Sequence, residues 1–132
     1  MFRFRLDGSS GVPPYLQLVH QVRQALLLGY LQEGDRLPTV KDVAADLVIN
    51  PNTVVKAYRQ LEHERLAGGR PGQGTFITAT ATPVAPEAQQ DLRTSLEAWL
   101  RGAEEAGLDD DAVTALIAVA RRDLKKEKER VS

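Results

Sequence analysis

The chain has 132 residues, 42% apolar and 27% charged, with a net charge of −1, a balance that suits a soluble globular protein of one domain or a small domain with an appendage. No apolar run approaches the roughly 18 residues that would span a membrane, Met1-Phe2-Arg3-Phe4-Arg5 is unlike a signal peptide, and the lack of cysteine removes disulfides and thiolate chemistry while fitting a reducing cytoplasm. The first 78 residues carry nine basic and seven acidic side chains and the rest eight and eleven, so the basic excess is N-terminal; a footprint of a few phosphates needs only local cations.

Phe2, Phe4 and Leu6 alternate with Arg3, Arg5 and Asp7, a period-two pattern that predicts a short strand. Asp7-Gly8-Ser9-Ser10-Gly11 is a turn-rich connector, and Pro13-Pro14 sets up a helix start. Tyr15, Leu18, Val19, Val22, Leu26 and Leu27 follow at helical spacing, with Gly29 as the stop. Glu33-Gly34-Asp35 reads as a turn before a very short extended piece, Arg36-Leu37. Thr39, with Asp42 three residues on, caps a helix that buries Val40, Val43, Ala44 and Leu47. After Val48-Ile49, Asn50 caps another helix, with Pro51 in its first position and Val54, Ala57, Tyr58 and Leu61 facing inward. Two short helices so close together predict a helix-turn-helix. Ala67-Gly68-Gly69-Arg70, Pro71-Gly72-Gln73-Gly74 and Thr75-Phe76-Ile77-Thr78 then read as strand, tight turn and strand, a hairpin placed to act as a wing.

Residues 79–86 are rich in Ala, Thr and Pro and read as a linker between a winged helix-turn-helix domain, 1–78, and a helical module, 87–132. In the module, Leu92, Leu96, Trp99, Leu100 and Ala103 line one amphipathic helix. Asp109-Asp110-Asp111 opens a second, with Val113, Leu116, Ile117, Ala120 and Leu124 on one side. Leu124-Lys125-Lys126-Glu127-Lys128-Glu129-Arg130 is expected to be a solvated, fraying end. The expected fold is mainly α with a small β-wing. The apolar stripes predict a homodimer made by the two tail helices, because a helix-turn-helix normally reads two half-sites of double-stranded DNA.

The helix opened by Asn50 has the make-up of a major-groove reader. Asn50, Asn52 and Thr53 stand at its start and Lys56 and Arg59 one and two turns on, clear of the apolar side. An asparagine amide matches adenine in the major groove, whereas the flexible Lys56 suits a phosphate. Taken alone, Asn50 could be only a cap and Lys56 and Arg59 only solvated; the preceding helix and the following wing give them a common purpose.

Pro14-Tyr15-Leu16-Gln17, Gly34-Asp35-Arg36-Leu37-Pro38-Thr39-Val40, the run from Asn50 to Glu62 and Arg70-Pro71-Gly72-Gln73-Gly74-Thr75-Phe76-Ile77 resemble the GntR family of bacterial regulators over residues 12–78. Asn50-Pro51-Asn52-Thr53-Val54 with Lys56-Ala57-Tyr58, and the short tail, are similar to its YtrA-like branch, in which two helices replace a large effector domain. The resemblance implies a dimeric regulator, usually a repressor, on inverted-repeat operators. By position it assigns DNA contacts to Lys41, to Asn50, Asn52, Thr53 and Lys56, and to Arg70, Gln73 and Gly74 of the wing. Pro51 and Val55 stand where much of the family has arginine, which shifts base reading toward Asn52 and Lys56. Val48 and Arg65 stand where it usually has glycine; arginine resists a positive φ, so the recognition helix is expected to end differently and tilt the wing.

Other signals are weaker. Gly69 to Thr75 lacks the lysine of a phosphate loop, and Pro71 removes an amide donor. The three aspartates lack the alternation and glycine of a calcium loop, and His20 and His63 show no ligand spacing, so no metal or cofactor is expected. No nucleophile, base and acid assemble, which speaks against an enzyme. Trp99 and its leucines are a packing stripe; two tails together, though not one, could enclose an unknown small-molecule effector. A winged helix used for protein contacts would have an apolar or acidic recognition face, and architectural DNA binding would need many more cations than this chain has.

Overall fold

The computed structural model describes residues 2–80 and 86–131 and divides the chain into two compact units, 1–84 and 85–132. The central part of the expected linker, 81–85, lies outside the described residues.

The first unit contains α1 (Pro14–Leu28), α2 (Val40–Leu47), α3 (Pro51–His63), β1 (Ala67–Arg70) and β2 (Gly74–Ile77). Each expected helix start is realised. Pro14 occupies the first turn of α1, Thr39 Oγ1 accepts from the Asp42 amide at 3.1 Å, and Asn50 Oδ1 accepts from the Asn52 amide at 2.8 Å. Helix α3 is central and packs on α1, α2 and β1. Its Val54, Ala57, Tyr58 and Leu61 are buried with Leu18, Val19, Val22, Leu37 and Ile77 in one core. Tyr58 also donates its hydroxyl to the Pro38 carbonyl, tying α3 to the segment that leads into α2. Burial pushes its phenol pKa up, so the donor stays protonated.

Three details of the sequence reading are corrected. On α1, Ala25 is buried while Leu27 is 74% exposed, because the inward stripe runs through 18, 19, 22, 25 and 26. On α2, Val43 and Ala44 are buried but Val40 and Leu47 only half-buried. Residues 2–6 alternate as expected, with Phe4 buried and Phe2 and Leu6 packed against the core, yet they form no strand. Two glutamines of α1 take the place of a neighbouring strand. Gln21 accepts from the Arg5 amide at 2.8 Å and donates to its carbonyl, and Gln17 does the same at Asp7. Their four-residue spacing on one helix face matches the two-residue spacing of an extended chain.

The hairpin is antiparallel, with Ala67 opposite Ile77 and Arg70 opposite Gly74. Arg70, Pro71, Gly72 and Gln73 form its turn, closed by Gln73 N–H to Arg70 C=O at 2.9 Å, and Gly72 supplies the positive φ of 72° that a type II turn requires. The short piece expected at Arg36-Leu37 bridges to the far side of β2, with Arg36 opposite Phe76.

The expected change at the end of α3 does not occur. Val48 and Arg65 both adopt left-handed backbone, with φ of 54° and 61°. Ile49 N–H reaches Ala44 C=O at 3.1 Å and Leu66 N–H reaches Leu61 C=O at 2.9 Å. Tyr30 to Ala25 makes the same closure after α1, with the glycine Gly29 in the left-handed position. The first two closures hold a residue other than glycine in the left-handed position, at the ends of α2 and α3.

The second unit holds α4 (Pro86–Glu105) and α5 (Asp110–Val131). Gly107 turns the chain with a φ of 91°, and Asp109 caps α5 by accepting from the Ala112 amide at 2.8 Å. The 124–130 segment, expected to fray, is helical through Val131, and Lys128 and Arg130 in its last turn suit the helix dipole. Among the described residues α4 and α5 pack little against each other, and Ala103 is the one buried hydrophobic side chain of this unit.

Candidate nucleic-acid interface

Proline at the first position and asparagine at the cap start α3 at a fixed point, so its polar side follows from residue spacing alone. Asn52, Lys56 and Arg59 are exposed, and with Val55 and Gln60 they line one open concavity on that side. Thr53 is half-buried. Asn50 is exposed, but its carbonyl oxygen is committed to the cap, so its amide protons are what remain for a ligand. Among the described residues the Asn52 side-chain amide has no hydrogen-bond partner, so the whole of it is available to a base.

Lys41 is exposed in the first turn of α2. In the wing, Arg70 and Gln73 are exposed and Gly74 half-buried. The Arg70 guanidinium lies 4.2 Å from the centre of the Phe76 ring. The structure thus brings Asn52, Lys56 and Arg59 together on α3 and sets Arg70, Gln73 and Gly74 together at the hairpin; Lys41 lies apart from both groups along the chain.

Some cations of the first unit are held by carboxylates. Arg3 pairs with Asp46 at 3.1 Å, and Arg23 grips Glu64 through Nε at 2.8 Å and through its terminal nitrogen. Among the described residues Lys41, Lys56, Arg59 and Arg70 have no carboxylate partner. Cations left unpaired along one set of elements suit a polyanion.

Two participants escaped the sequence reading. Tyr15, taken as part of the inward stripe of α1, is half-buried and carries the Lys56 ammonium 4.0 Å from its ring centre. Its position beside the second proline of the helix start was the available signal. Val119 on α5 is an exposed hydrophobic three residues after Leu116, so the helical spacing already included it.

Residues 14–77, from α1 to the end of β2, match the model of the bacterial regulatory proteins of the gntR family. A relative from Bacillus subtilis (strain 168), the HTH-type transcriptional repressor YtrA, is 33% identical over 106 residues, covering 80% of this chain and 82% of that one. The chain belongs to the GntR family. Solved structures agree with it. A transcriptional antiterminator from Listeria monocytogenes EGD-e superposes with a TM-score of 0.59 at 28% identity, over 92% of each chain. YtrA from Sulfolobus acidocaldarius, a GntR-family transcription factor, superposes with a TM-score of 0.55 at 25% identity, over 76% of this chain and 99% of that one. This GntR protein is a DNA-binding transcriptional regulator and not an enzyme. None of its described helices is long and apolar enough to cross a membrane.

Proposed function

We propose that this GntR regulator is a repressor that binds an inverted-repeat operator as a homodimer. The observation that carries the reading is the pairing of an unpartnered polar and cationic side on α3 with an unpartnered apolar stripe on α4 and α5. Asn52 reads a base edge, Lys56 and Arg59 hold phosphates, Lys41 steadies α2 against the backbone, and Arg70, Gln73 and Gly74 bring the wing to the duplex beside the half-site. Asn50 and Thr53 fix the start of the reading helix and offer donors there to a phosphate.

The second copy is supplied by the tail. Leu92, Leu96, Trp99, Leu100, Leu116, Val119 and Leu124 are exposed, and Val113 and Ile117 half-buried, on helices that hardly cover one another. Single exposed leucines need no explanation, but stripes of them along 20-residue and 22-residue helices call for a partner surface. A twofold axis through the tails gives each copy one half-site. Repression rests on the likeness to the Bacillus repressor, and the compartment is that of the chromosome, the cytoplasm.

Selection of duplexes from a random pool by the purified full chain tests the reading. Recovery of an inverted repeat with half-sites one helical turn, or a multiple, apart is expected. Recovery of no enriched sequence, or of a single unrepeated site, overturns it.

A further inference from the structure

The wing holds a cation that the sequence pattern did not single out. Arg36 lies opposite Phe76 across the far edge of β2, and Arg70 lies opposite Gly74 across the near edge. Directly opposed residues of antiparallel strands share a face, and so do residues two apart on one strand. Arg36, Gly74, Phe76 and Arg70 therefore stand on the same face of the hairpin.

The two side chains run past each other on that face. Arg70 reaches along the sheet to lie 4.2 Å from the centre of the Phe76 ring. Arg36 reaches the other way, over Gly74; a Cβ on that glycine would stand 3.0 Å from Arg36 Nε and 3.4 Å from a terminal nitrogen. Gly74, with a φ of 119°, thus leaves the floor on which the Arg36 guanidinium lies. The two points of support are two strand residues apart, roughly 7 Å. Among the described residues neither guanidinium has a carboxylate partner. The side chain of the adjacent Asp35 is taken up by the Gln32 amide at 2.8 Å.

Two like charges held on one face without a counterion repel each other, and the arrangement is relieved only when an anion arrives. Guanidinium is the group that meets phosphate with a planar, two-pronged donor set. We propose that Arg36 and Arg70 form a paired clamp for the phosphodiester backbone, with Gly74 as the positioning residue that lets Arg36 lie flat. The clamp rests on the reading of this protein as an operator-binding regulator. It fixes where the wing sits, and so adds affinity on every sequence without reading a base.

The test uses the full chain and a duplex recovered by the selection described above. Affinity is measured against salt for the unaltered chain, Arg36→Gln, Arg70→Gln and Arg36→Lys, with melting temperatures for each. Arg36→Gln and Arg70→Gln are each expected to weaken binding about tenfold and to lower the salt slope by about 0.9 of a counterion, whereas Arg36→Lys keeps the slope. Single methylphosphonate substitutions outside the half-site are expected to cost the unaltered chain affinity at adjacent phosphates, one of which costs nothing in Arg36→Gln. The clamp is overturned if Arg36→Gln melts like the unaltered chain and keeps its slope. It is equally overturned, with no variant needed, if no neutralised phosphate outside the half-site weakens the unaltered chain. Failure of the unaltered chain to enrich any duplex removes the operator reading itself, a result distinct from either.

Discussion

Lys56 holds its ammonium 4.0 Å from the centre of the Tyr15 ring, so the first turn of α1 steadies a cation of α3. The contact holds the charge near the reading side of α3 without neutralising it, since a ring face, unlike a carboxylate, leaves a net positive charge to meet a phosphate. A side chain already confined loses less freedom when it docks, which favours a positioning role over a reading one.

That relationship separates Lys56 from Asn52. Lys56→Ala should weaken binding to all sequences about equally and lower the salt slope by roughly one counterion, with less than about 1 kcal/mol lost from folding. Asn52→Ala should leave the slope almost unchanged and relax preference at one base position, at a cost of about 1–3 kcal/mol for the matched operator. Affinities on matched and single-substituted duplexes over a salt series distinguish the two. Identical behaviour of both variants would require another docking of α3, with Val55 at the base edges.

Val48 offers a prediction about stability. Its φ is 54° and it is 89% exposed, so its β-branched side chain strains the backbone while little of it is buried among the described residues. Val48→Gly should raise the stability of the first unit by about 1 kcal/mol, the cost of a side chain in left-handed backbone less the greater freedom of glycine when unfolded. Thermal unfolding of both proteins measures it; a lower melting temperature for the glycine variant would mean that Val48 makes a contact the chain does not show.

Glu64 sets an expectation for acid. Its hydrogen bonds from Arg23, and then from Gln60, hold its carboxyl below the ordinary glutamate range. A carboxylate depressed in the folded state stabilises fully above its unfolded pKa, and that stabilisation is lost as pH falls through the folded value. The pair is partly exposed, with 40% of the Arg23 side chain and 22% of the Glu64 side chain accessible, so solvent screening limits it to about 1 kcal/mol. Glu64→Gln should destabilise by that amount at neutral pH and narrow its deficit as pH drops below the glutamate range. A deficit constant from neutral pH to acid would show that the charge on Glu64 is irrelevant to folding.

Much of this was legible in the sequence because the signals were local. Thr39, Asn50 and Gly29 each mark a helix boundary through a bond made within a few residues, Pro14 marks one through its fixed φ, and Val54, Ala57, Tyr58 and Leu61 declare the inner side of α3 by spacing. What escaped depends on contacts distant in the chain. The Phe2 to Leu6 alternation was visible, but its partners are glutamine amides of α1, which no strand pattern predicts. The lie of Arg36 over Gly74 and of Lys56 over Tyr15 needs the third dimension. The end of α3 at Arg65 was misjudged because the preference of one residue was weighed without the closure that Leu66 makes back to Leu61.

The tail carries the last prediction. Leu96 on α4 and Leu116 on α5 are both exposed, and among the described residues the two helices bury little between them. If two copies meet along these stripes, a carboxylate at the centre of each would be desolvated without a partner, a cost of several kcal/mol per copy that a dimer interface of modest area does not absorb. In a monomer the same substitution would sit in water and be almost neutral, within about 0.5 kcal/mol. Leu96→Glu with Leu116→Glu should therefore turn a sedimenting dimer into a monomer without lowering helical content. Binding to an isolated half-site should be unaffected while binding to the full inverted repeat falls toward it, because the second reading head is no longer tethered. A doubly substituted chain that still sediments as a dimer would place the interface elsewhere, with the exposed Leu27 and Leu28 at the end of α1 as the next surface to alter.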